Sequence, residues 1–377
     1  MAEADIRTQD DLIGYGRLDP FKQACVKAGR ETSGSLATID AFEVEWSRGE
    51  SCFVVDHGEF YTGEVNEGLG TKNLGYDILA LIRKLTVGGA IPSSLMEGIG
   101  IDCVAMIVND MITLGIAPFS LGMHLAVGDS HWFDDEDRAA ALVRGFAKGA
   151  QLAGAVWGYG ETPTLAGIVG PDTFALSGNA TGILYNKSML VNPANIQAGD
   201  VLIGLRSSGI HANGLTMARE IADRAGYADN PFASHRAGFG HMLLEPTEIY
   251  VSFLRACQAA GLHWSYGINV TGHGWRKIMR AVQPWTYRIT TLPVLCHEMG
   301  VFEDLQMAGN VSPRVMYETF NMGIGFIVIV RPDKQQQTLE IASKTGHHPT
   351  VLGVVEEGPR QVIIEPIDVV FDELGVR

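Results

Sequence analysis

A glycine-rich loop that ends in a lysine is the first stretch of this sequence that could carry chemistry. Residues 67–72 read EGLGTK and follow a predicted strand. Gly68 and Gly70 would let the backbone approach a ligand closely. Thr71 offers a hydroxyl group, and Lys72 offers a compact cation suited to phosphate. The spacing is not that of a Walker A loop, and an ordinary turn at the end of a strand is the alternative interpretation.

Three short polar side chains interrupt an otherwise apolar stretch that is predicted to be a helix over residues 100–114. Asp102 and Asn109 lie about two helical turns apart and share one face, and Asp110 lies ~100° round from Asn109. Such residues are poor helix formers and are costly to bury without partners. Oxygen ligands of this kind suit Mg²⁺, usually with nucleotide phosphates completing its shell. A metal site and a solvated polar edge both remain compatible with the pattern.

A third candidate is a carboxylate in the glycine-rich stretch 157–163. Glu161 and Thr162 follow a short predicted strand, and the ends of central strands are common places for functional sites. The sequence is compatible with Glu161 as a general acid or a metal ligand, and equally with Glu161 as a residue that caps the loop.

Two further loops place hydroxyl groups before predicted helices. Residues 207–214 read SSGIHANG, and residues 269–274 read NVTGHG. Hydroxyl groups beside the free amides of a helix N-terminus favour an anion site. The alternative for the first loop is a serine or asparagine helix cap, which leaves His211 unexplained. The candidate binding residues are Ser207, Ser208, His211 and Asn213 in the first loop and Thr271 and Gly272 in the second.

The elements that must position these residues alternate between strands and helices, which predicts an α/β or α+β fold. The length of 377 residues predicts two domains. We expect an N-terminal arm at 1–45, a first domain at 46–190 and a second domain at 191–377. Strands are predicted at 53–55, 60–65, 119–127, 155–157, 174–184, 201–205, 324–330, 351–355 and 361–364. Helices are predicted at 19–29, 78–85, 100–114, 134–152, 214–225, 246–260, 275–281, 313–320 and 333–343.

Composition excludes several classes of function. The net charge of −15 argues against a broad surface for nucleic acid or for an anionic membrane, because binding would release no counterions. Glycine accounts for 45 of 377 residues, about 12% against a usual ~7%, which indicates many tight turns. The N-terminus has no signal-peptide pattern, and five widely spaced cysteines suggest neither zinc nor a disulfide framework. We therefore expect a cytoplasmic protein.

Taken in order, these segments resemble the aminoimidazole ribonucleotide synthetase (phosphoribosylformylglycinamidine cyclo-ligase) family over residues 21–364. The resemblance rests on the lysine loop 68–72, the acidic helix 100–115, a GGET-like loop at 159–162, the serine-rich loop 207–214, a helix-start motif at 246–251, and the stretches 308–311 and 316–325. It implies a two-domain fold, in which the first domain forms a β-barrel shared across a homodimer and the second is an α+β domain. The active site would then lie in the cleft between the halves.

The resemblance also implies an activity, the ATP-driven ring closure of formylglycinamidine ribonucleotide to aminoimidazole ribonucleotide in purine biosynthesis, with release of ADP and phosphate. The implied cofactors are ATP and Mg²⁺. The implied nucleotide-binding residues are Gly68, Gly70, Thr71, Lys72, Asn109 and Thr162, and the implied metal ligands are Glu67, Asp102 and Asp110. The phosphoribosyl substrate would contact Ser207, Ser208, His211, Asn213, Thr271 and Gly272, and the catalytic residues would be Lys72, His211 and Glu161.

The chain departs from the pattern of that family mostly on the side expected to touch the substrate. The departures are Glu67 for an aspartate, Tyr159 for a glycine, Glu248 for an arginine, Asn269 for a histidine and His273 for a glycine. They keep two alternatives open: a relative that phosphorylates another small substrate, and a paralogue that binds nucleotide without turnover.

Overall fold

Two β-sheets follow one another along the chain in the computed structural model, which describes residues 14–77, 91–225, 239–295 and 300–372. The first sheet contains β1 (Phe42–Glu43), β2 (Phe53–Asp56), β3 (Tyr61–Gly68), β4 (Ala117–Val127), β5 (Val156–Glu161) and β6 (Phe174–Leu184), in the order β1-β2-β3-β6-β4-β5. The second contains β7 (Val201–Arg206), β8 (Tyr266–Asn269), β9 (Trp285–Ile289), β10 (Ile324–Val330), β11 (Pro349–Glu357), β12 (Gln361–Ile364) and β13 (Val369–Phe371), in the order β13-β12-β9-β11-β7-β10-β8.

Helices flank both sheets. The α-helices span Tyr15–Arg30, Ser94–Ile112, Glu136–Leu152, Leu215–Arg224, Phe239–Leu243, Val251–Ala259, Gly300–Gly309, Pro313–Thr319 and Gln335–Lys344. Residues 72–77 are also helical, and a 3₁₀ helix spans Gly274–Arg280. Within the described ranges, no helix combines the length and the apolar character needed to cross a membrane. Both sheets are mixed, because β4 pairs with β5 and β9 with β12 in parallel while the other neighbours are antiparallel. The predicted α/β (α+β) class is therefore confirmed.

The Ser94–Ile112 helix, called the central helix below, is buried along nearly its whole length. It contacts β3, β4 and β6 of the first sheet and β8 of the second. Glycines let it approach the Glu136–Leu152 helix, since a Cβ on Gly100 would lie 2.5 Å from the Phe146 backbone nitrogen. A Cβ on Gly145 would lie 2.0 Å from the Glu97 carbonyl oxygen. The central helix can therefore present polar side chains to both halves of the molecule at once.

Most predicted elements are confirmed, and β6, β10 and β12 match their predicted bounds. β6 is continuous although it contains glycines. These glycines allow close packing against neighbouring elements, since a Cβ on Gly182 would lie 2.4 Å from the Met111 sulfur. The helix predicted at 246–260 begins only at Val251, since the segment before it has no regular secondary structure. The helix predicted at 78–85 lies outside the described residues. Elements without a prediction include β8, β9 and the helix Gly300–Gly309.

Candidate active site

A buried ion pair joins the lysine loop to the central helix. Lys72 is the first residue of the helical segment 72–77. Its Nζ lies 2.9 Å from Asp102 Oδ1 and 2.8 Å from Asp102 Oδ2, and both side chains are 0% exposed. A buried pair of this kind is costly to desolvate, and it needs good geometry and further hydrogen bonds to persist.

The second half of the chain supplies those hydrogen bonds. Lys72 Nζ donates to the Glu245 carbonyl oxygen at 2.6 Å. The Thr247 backbone N–H donates to Asp102 Oδ1 at 2.8 Å, and the Thr247 hydroxyl donates to the same oxygen. Burial raises the pKa of Asp102, while the charge of Lys72 and the bonds from Thr247 act in the opposite direction. These four residues, called the Lys72 cluster below, join both halves of the molecule.

The serine-rich loop lies directly beside the Lys72 cluster. The Ser208 hydroxyl donates to the Pro246 carbonyl oxygen, one residue before Thr247. The Ser207 hydroxyl donates to Asn321 Oδ1 at 2.9 Å, and Asn321 Nδ2 donates to the Gly209 carbonyl oxygen at 2.8 Å. The loop is thus fixed from two sides, by the segment before Thr247 and by Asn321.

His211 is a buried, neutral imidazole. Burial, and then the charge of Lys72, lower the pKa of His211 to about 3. Its Nε2 accepts a hydrogen bond from the Ser208 backbone N–H at 3.2 Å, which places the proton of the neutral ring on Nδ1. Its backbone is left-handed, with φ of 61°. Gly325 makes room for the ring, since a Cβ there would lie 2.4 Å from His211 Cε1 and 2.1 Å from the Tyr250 hydroxyl oxygen.

A second charged cluster lies further along the central helix. Asp110 Oδ1 accepts a hydrogen bond from Asn269 Nδ2 at 2.7 Å and lies 3.9 Å from Lys277 Nζ. Lys277 is buried, and its ammonium group donates to the Thr271 hydroxyl oxygen. Together with Glu67 these residues are called the Lys277 cluster below.

Glu67 is part of the Lys277 cluster through its charge. Burial, and then the nearby carboxylate of Asp110, raise the pKa of Glu67 to about 7, while Lys277 and Arg280 act in the opposite direction. Arg280 in turn donates to the Gly49 carbonyl oxygen at 2.8 Å. Arg280 also forms an ion pair with Glu50 at 3.6 Å, so the Lys277 cluster continues into a second ion pair.

Two other predicted residues, Asn109 and Thr71, also contact the second half of the chain. Asn109 Nδ2 donates to the Glu248 carbonyl oxygen at 2.7 Å, and its Oδ1 accepts from the Tyr250 backbone N–H at 3.0 Å, so this amide joins the two halves. Thr71 Oγ1 lies 3.2 Å from Thr216 Oγ1.

Four predicted residues are exposed to solvent, and others are partly exposed. Gly68, Gly70, Glu161 and Thr162 are exposed and Gly272 is partly exposed. Among the described residues, no hydrogen bond or ion pair links Glu161 to either cluster. Asn213 is partly buried, and its Nδ2 lies 3.6 Å from the Met106 sulfur. These exposed positions are accessible to a ligand, whereas Lys72 and Asp102 are sealed.

Comparison with known proteins places this arrangement in a family. The family model described as AIR synthase related protein, N-terminal domain, matches residues 85–184, and the corresponding C-terminal domain model matches residues 197–365. A phosphoribosylformylglycinamidine cyclo-ligase of Methanococcus maripaludis is 31% identical over 346 residues, which cover 90% of each protein. The chain belongs to the AIR synthase family. A cyclo-ligase of the same name from Methanocaldococcus jannaschii is 33% identical over 304 residues, which cover 80% of each protein.

Solved structures share the fold of this AIR synthase family member at lower identity. The crystal structure of a HypE–HypF complex matches with a TM-score of 0.60 and 16% identity, covering 90% of this chain and 97% of that chain. AaThiL complexed with AMPPCP and TMP matches with a TM-score of 0.56 and 15% identity, covering 85% of this chain and 89% of that chain. The AIR synthase-like fold that the resemblance implied is thereby confirmed.

The implied metal ligands of this AIR synthase family member are not brought together. Asp102 lies in the Lys72 cluster, whereas Glu67 and Asp110 lie in the Lys277 cluster. In each cluster a lysine ammonium faces the carboxylate that would bind a cation. Among the described residues, no three His, Cys, Asp or Glu side chains form a group able to hold a metal ion. A three-carboxylate Mg²⁺ site does not fit the residues as they stand.

Several important residues of both clusters were missing from the sequence-based prediction. Thr247, Asn321, Lys277 and Arg280 all contact or face predicted site residues from positions far along the chain. Thr247 and Asn321 fall inside stretches that carry the family resemblance, so motif matching could have found them. Nothing in the sequence around Lys277 and Arg280 indicated that these side chains turn inward.

Proposed function

We propose that this protein is an ATP-dependent cyclo-ligase, which closes the imidazole ring of formylglycinamidine ribonucleotide and releases ADP and phosphate in purine biosynthesis. Membership of the AIR synthase family and the names of its relatives support the reaction. The observation that carries the proposal is the buried Lys72–Asp102 pair, which brings the lysine loop, the central helix and the segment at Thr247 to one point. This junction is where a substrate-filled cleft between the halves would form.

In the proposed reaction the formyl oxygen of the substrate attacks the γ-phosphorus of ATP, and ADP leaves. A ring-forming nitrogen then attacks the activated carbon, and phosphate leaves with the former formyl oxygen. Phosphoryl transfer depends more on positioning and charge neutralisation than on a strong base. That requirement agrees with a neutral His211, whose Nδ1 proton can be donated in a hydrogen bond but whose ring does not act as an imidazolium acid.

The nucleotide side of the proposed site is the accessible one. Gly68 and Gly70 are exposed and leave the backbone of the lysine loop open to phosphate, with Thr71 beside them. Glu161 and Thr162 are exposed at the end of β5 and are proposed to hold the nucleotide. Mg²⁺ would come to this site with the ATP phosphates, which commonly supply much of its shell.

The substrate side is proposed to be the serine-rich loop. Ser207 and Ser208 present hydroxyl groups beside the Lys72 cluster, Asn213 follows in the same loop, and Thr271 and Gly272 lie at the Lys277 cluster. The loop ends at Gly214, which precedes the Leu215–Arg224 helix. Amides at this helix N-terminus would complete a site for the ribonucleotide phosphate.

Two copies of the chain are proposed to associate through the first sheet. β5 is an edge strand of that sheet. Phe119, Val156 and Tyr159 on β4 and β5 are 45%, 61% and 48% exposed, which is unusual for large apolar side chains on neighbouring strands. A shared barrel would cover this edge and these side chains.

The test is ADP release by the purified protein with ATP, in the presence and absence of formylglycinamidine ribonucleotide. We expect release that depends on the ribonucleotide and that Lys72→Ala abolishes. The matched control is Lys187→Ala, because Lys187 forms an ion pair with Asp56 in which both side chains are about one-third exposed, away from either cluster. This control should release ADP at the wild-type rate, and thermal melting checks that each variant is folded.

Other outcomes would replace the proposal. Nucleotide binding by the wild-type protein without ribonucleotide-dependent turnover would identify a non-catalytic paralogue. Phosphorylation of a different small acceptor would identify a kinase relative. Equal loss of activity in Lys72→Ala and Lys187→Ala would show that the effect is not specific to the Lys72 cluster.

A further inference from the structure

The Lys277 cluster already contains a cation at the place where a metal ion would be expected. Glu67 and Asp110 are two of the implied metal ligands, and their charges interact. The ammonium group of Lys277 lies 3.9 Å from Asp110 Oδ1. A buried carboxylate such as that of Asp110 is strongly disfavoured unless a positive charge compensates it.

The local backbone fixes where this ammonium group lies. Lys277 belongs to the 3₁₀ helix Gly274–Arg280, which starts after His273 in a left-handed conformation with φ of 76°. Gly274 also has a positive φ, of 53°, and a Cβ there would lie 2.3 Å from the Tyr317 carbonyl oxygen. The tight start of the helix places Lys277 one turn later, inside the molecule.

The partners of the ammonium group hold it in the cluster rather than at the surface. The Lys277 side chain is 10% exposed, and it donates a hydrogen bond to the Thr271 hydroxyl oxygen. Asn269 Nδ2 donates a hydrogen bond to Asp110 Oδ1 at 2.7 Å. A lysine that only covered apolar surface would keep its charged end in water, which is not the arrangement here.

We propose that Lys277 is the resident cation of this site: its ammonium group compensates the Asp110 carboxylate, so that the nucleotide-free protein binds no divalent cation there. The side chain thus takes the electrostatic role of a metal ion at this position. The inference concerns the empty protein and does not depend on whether the ring-closing reaction takes place.

The experiment is Mn²⁺ binding to the full-length, nucleotide-free protein, followed by the electron paramagnetic resonance signal of free Mn²⁺. We expect the wild-type protein to leave that signal unchanged and Lys277→Met to bind Mn²⁺ at least about tenfold more tightly than wild type. The double variant Lys277→Met/Asp110→Asn should lose the gained binding, and Lys277→Arg, which keeps the charge, should not gain it.

Two results would overturn the proposal. One is a wild-type protein that binds Mn²⁺ and loses this binding on Asp110→Asn, a measurement that needs no Lys277 variant to fold. The other is a folded Lys277→Met protein, checked by circular dichroism, that binds Mn²⁺ no better than wild type. Neither readout involves ADP release, so failure here is distinct from failure of the proposed function.

Discussion

The central helix carries two aspartates, each facing a lysine, and the two pairs are built differently. Asp102 and Lys72 approach to 2.8 Å with both side chains 0% exposed. Asp110 and Lys277 are 3.9 Å apart with side chains 8% and 10% exposed. The first pair is closed by hydrogen bonds from the second half of the chain, whereas the second belongs to a looser group of charges. The comparison indicates that the Lys72–Asp102 pair links the two halves of the molecule, whereas the Lys277–Asp110 pair compensates buried charge.

Breaking the closed pair has the largest expected effect. Lys72→Met leaves the Asp102 carboxylate buried without its cation, and we expect the free energy of unfolding to fall by about 3–5 kcal/mol. Urea denaturation followed by circular dichroism measures the loss. The double variant Lys72→Met/Asp102→Leu should recover much of the stability, because replacing a whole buried pair with apolar side chains is often neutral. If Lys72→Met were as stable as wild type, the Lys72–Asp102 pair would not be a buried pair that stabilises the fold.

The same change in the looser pair should cost less. Lys277→Met removes a cation that lies farther from its aspartate, and Asp110 keeps its hydrogen bond from Asn269. We expect the free energy of unfolding to fall by about 1–3 kcal/mol, the cost of leaving one buried polar group unsatisfied. The measurement is again urea denaturation, in parallel with Lys72→Met. An equal or larger loss for Lys277→Met would reverse the comparison.

Much of the fold could be predicted because its elements have local signals. The central helix could be predicted from apolar residues at helical spacing. Its predicted end before Gly115 agrees with the positive φ of 77° at that glycine. β8 was missed because it is only four residues long and buried throughout, so it shows no alternation. The helix predicted at 246–260 starts late because its first residues are used elsewhere: Thr247 and Glu248 contact Asp102 and Asn109 of the central helix.

The sequence predicted which residues belong to the site but not which of them contact each other. Lys72 and Asp102 were both singled out, one for phosphate and one for metal, yet they bind each other. Their pairing depends on Thr247, which lies 145 positions from Asp102 in sequence. Contacts at that range follow from how the halves meet, and local spacing carries no information about them.

The pH dependence of stability gives the finest test of the difference between the clusters. The pKa of Glu67 is raised from 4.5 to about 7, first by burial and then by Asp110. Between these values the folded protein holds a proton that the unfolded chain has released, so stability is full below pH 4.5 and falls as the pH rises through 7. The slope contributed by Glu67 is at most about 1.4 kcal/mol per pH unit.

Glu67→Gln should remove this slope, whereas the exposed Glu59→Gln should leave it in place. The measurement is the free energy of unfolding of wild type and both variants across this pH range. Because Glu67 interacts with the charges of Asp110, Lys277 and Arg280, the slope reports the Lys277 cluster rather than the closed Lys72 pair. If Glu67→Gln kept the wild-type pH dependence, Glu67 would titrate as an ordinary surface carboxyl and would not belong to the looser cluster.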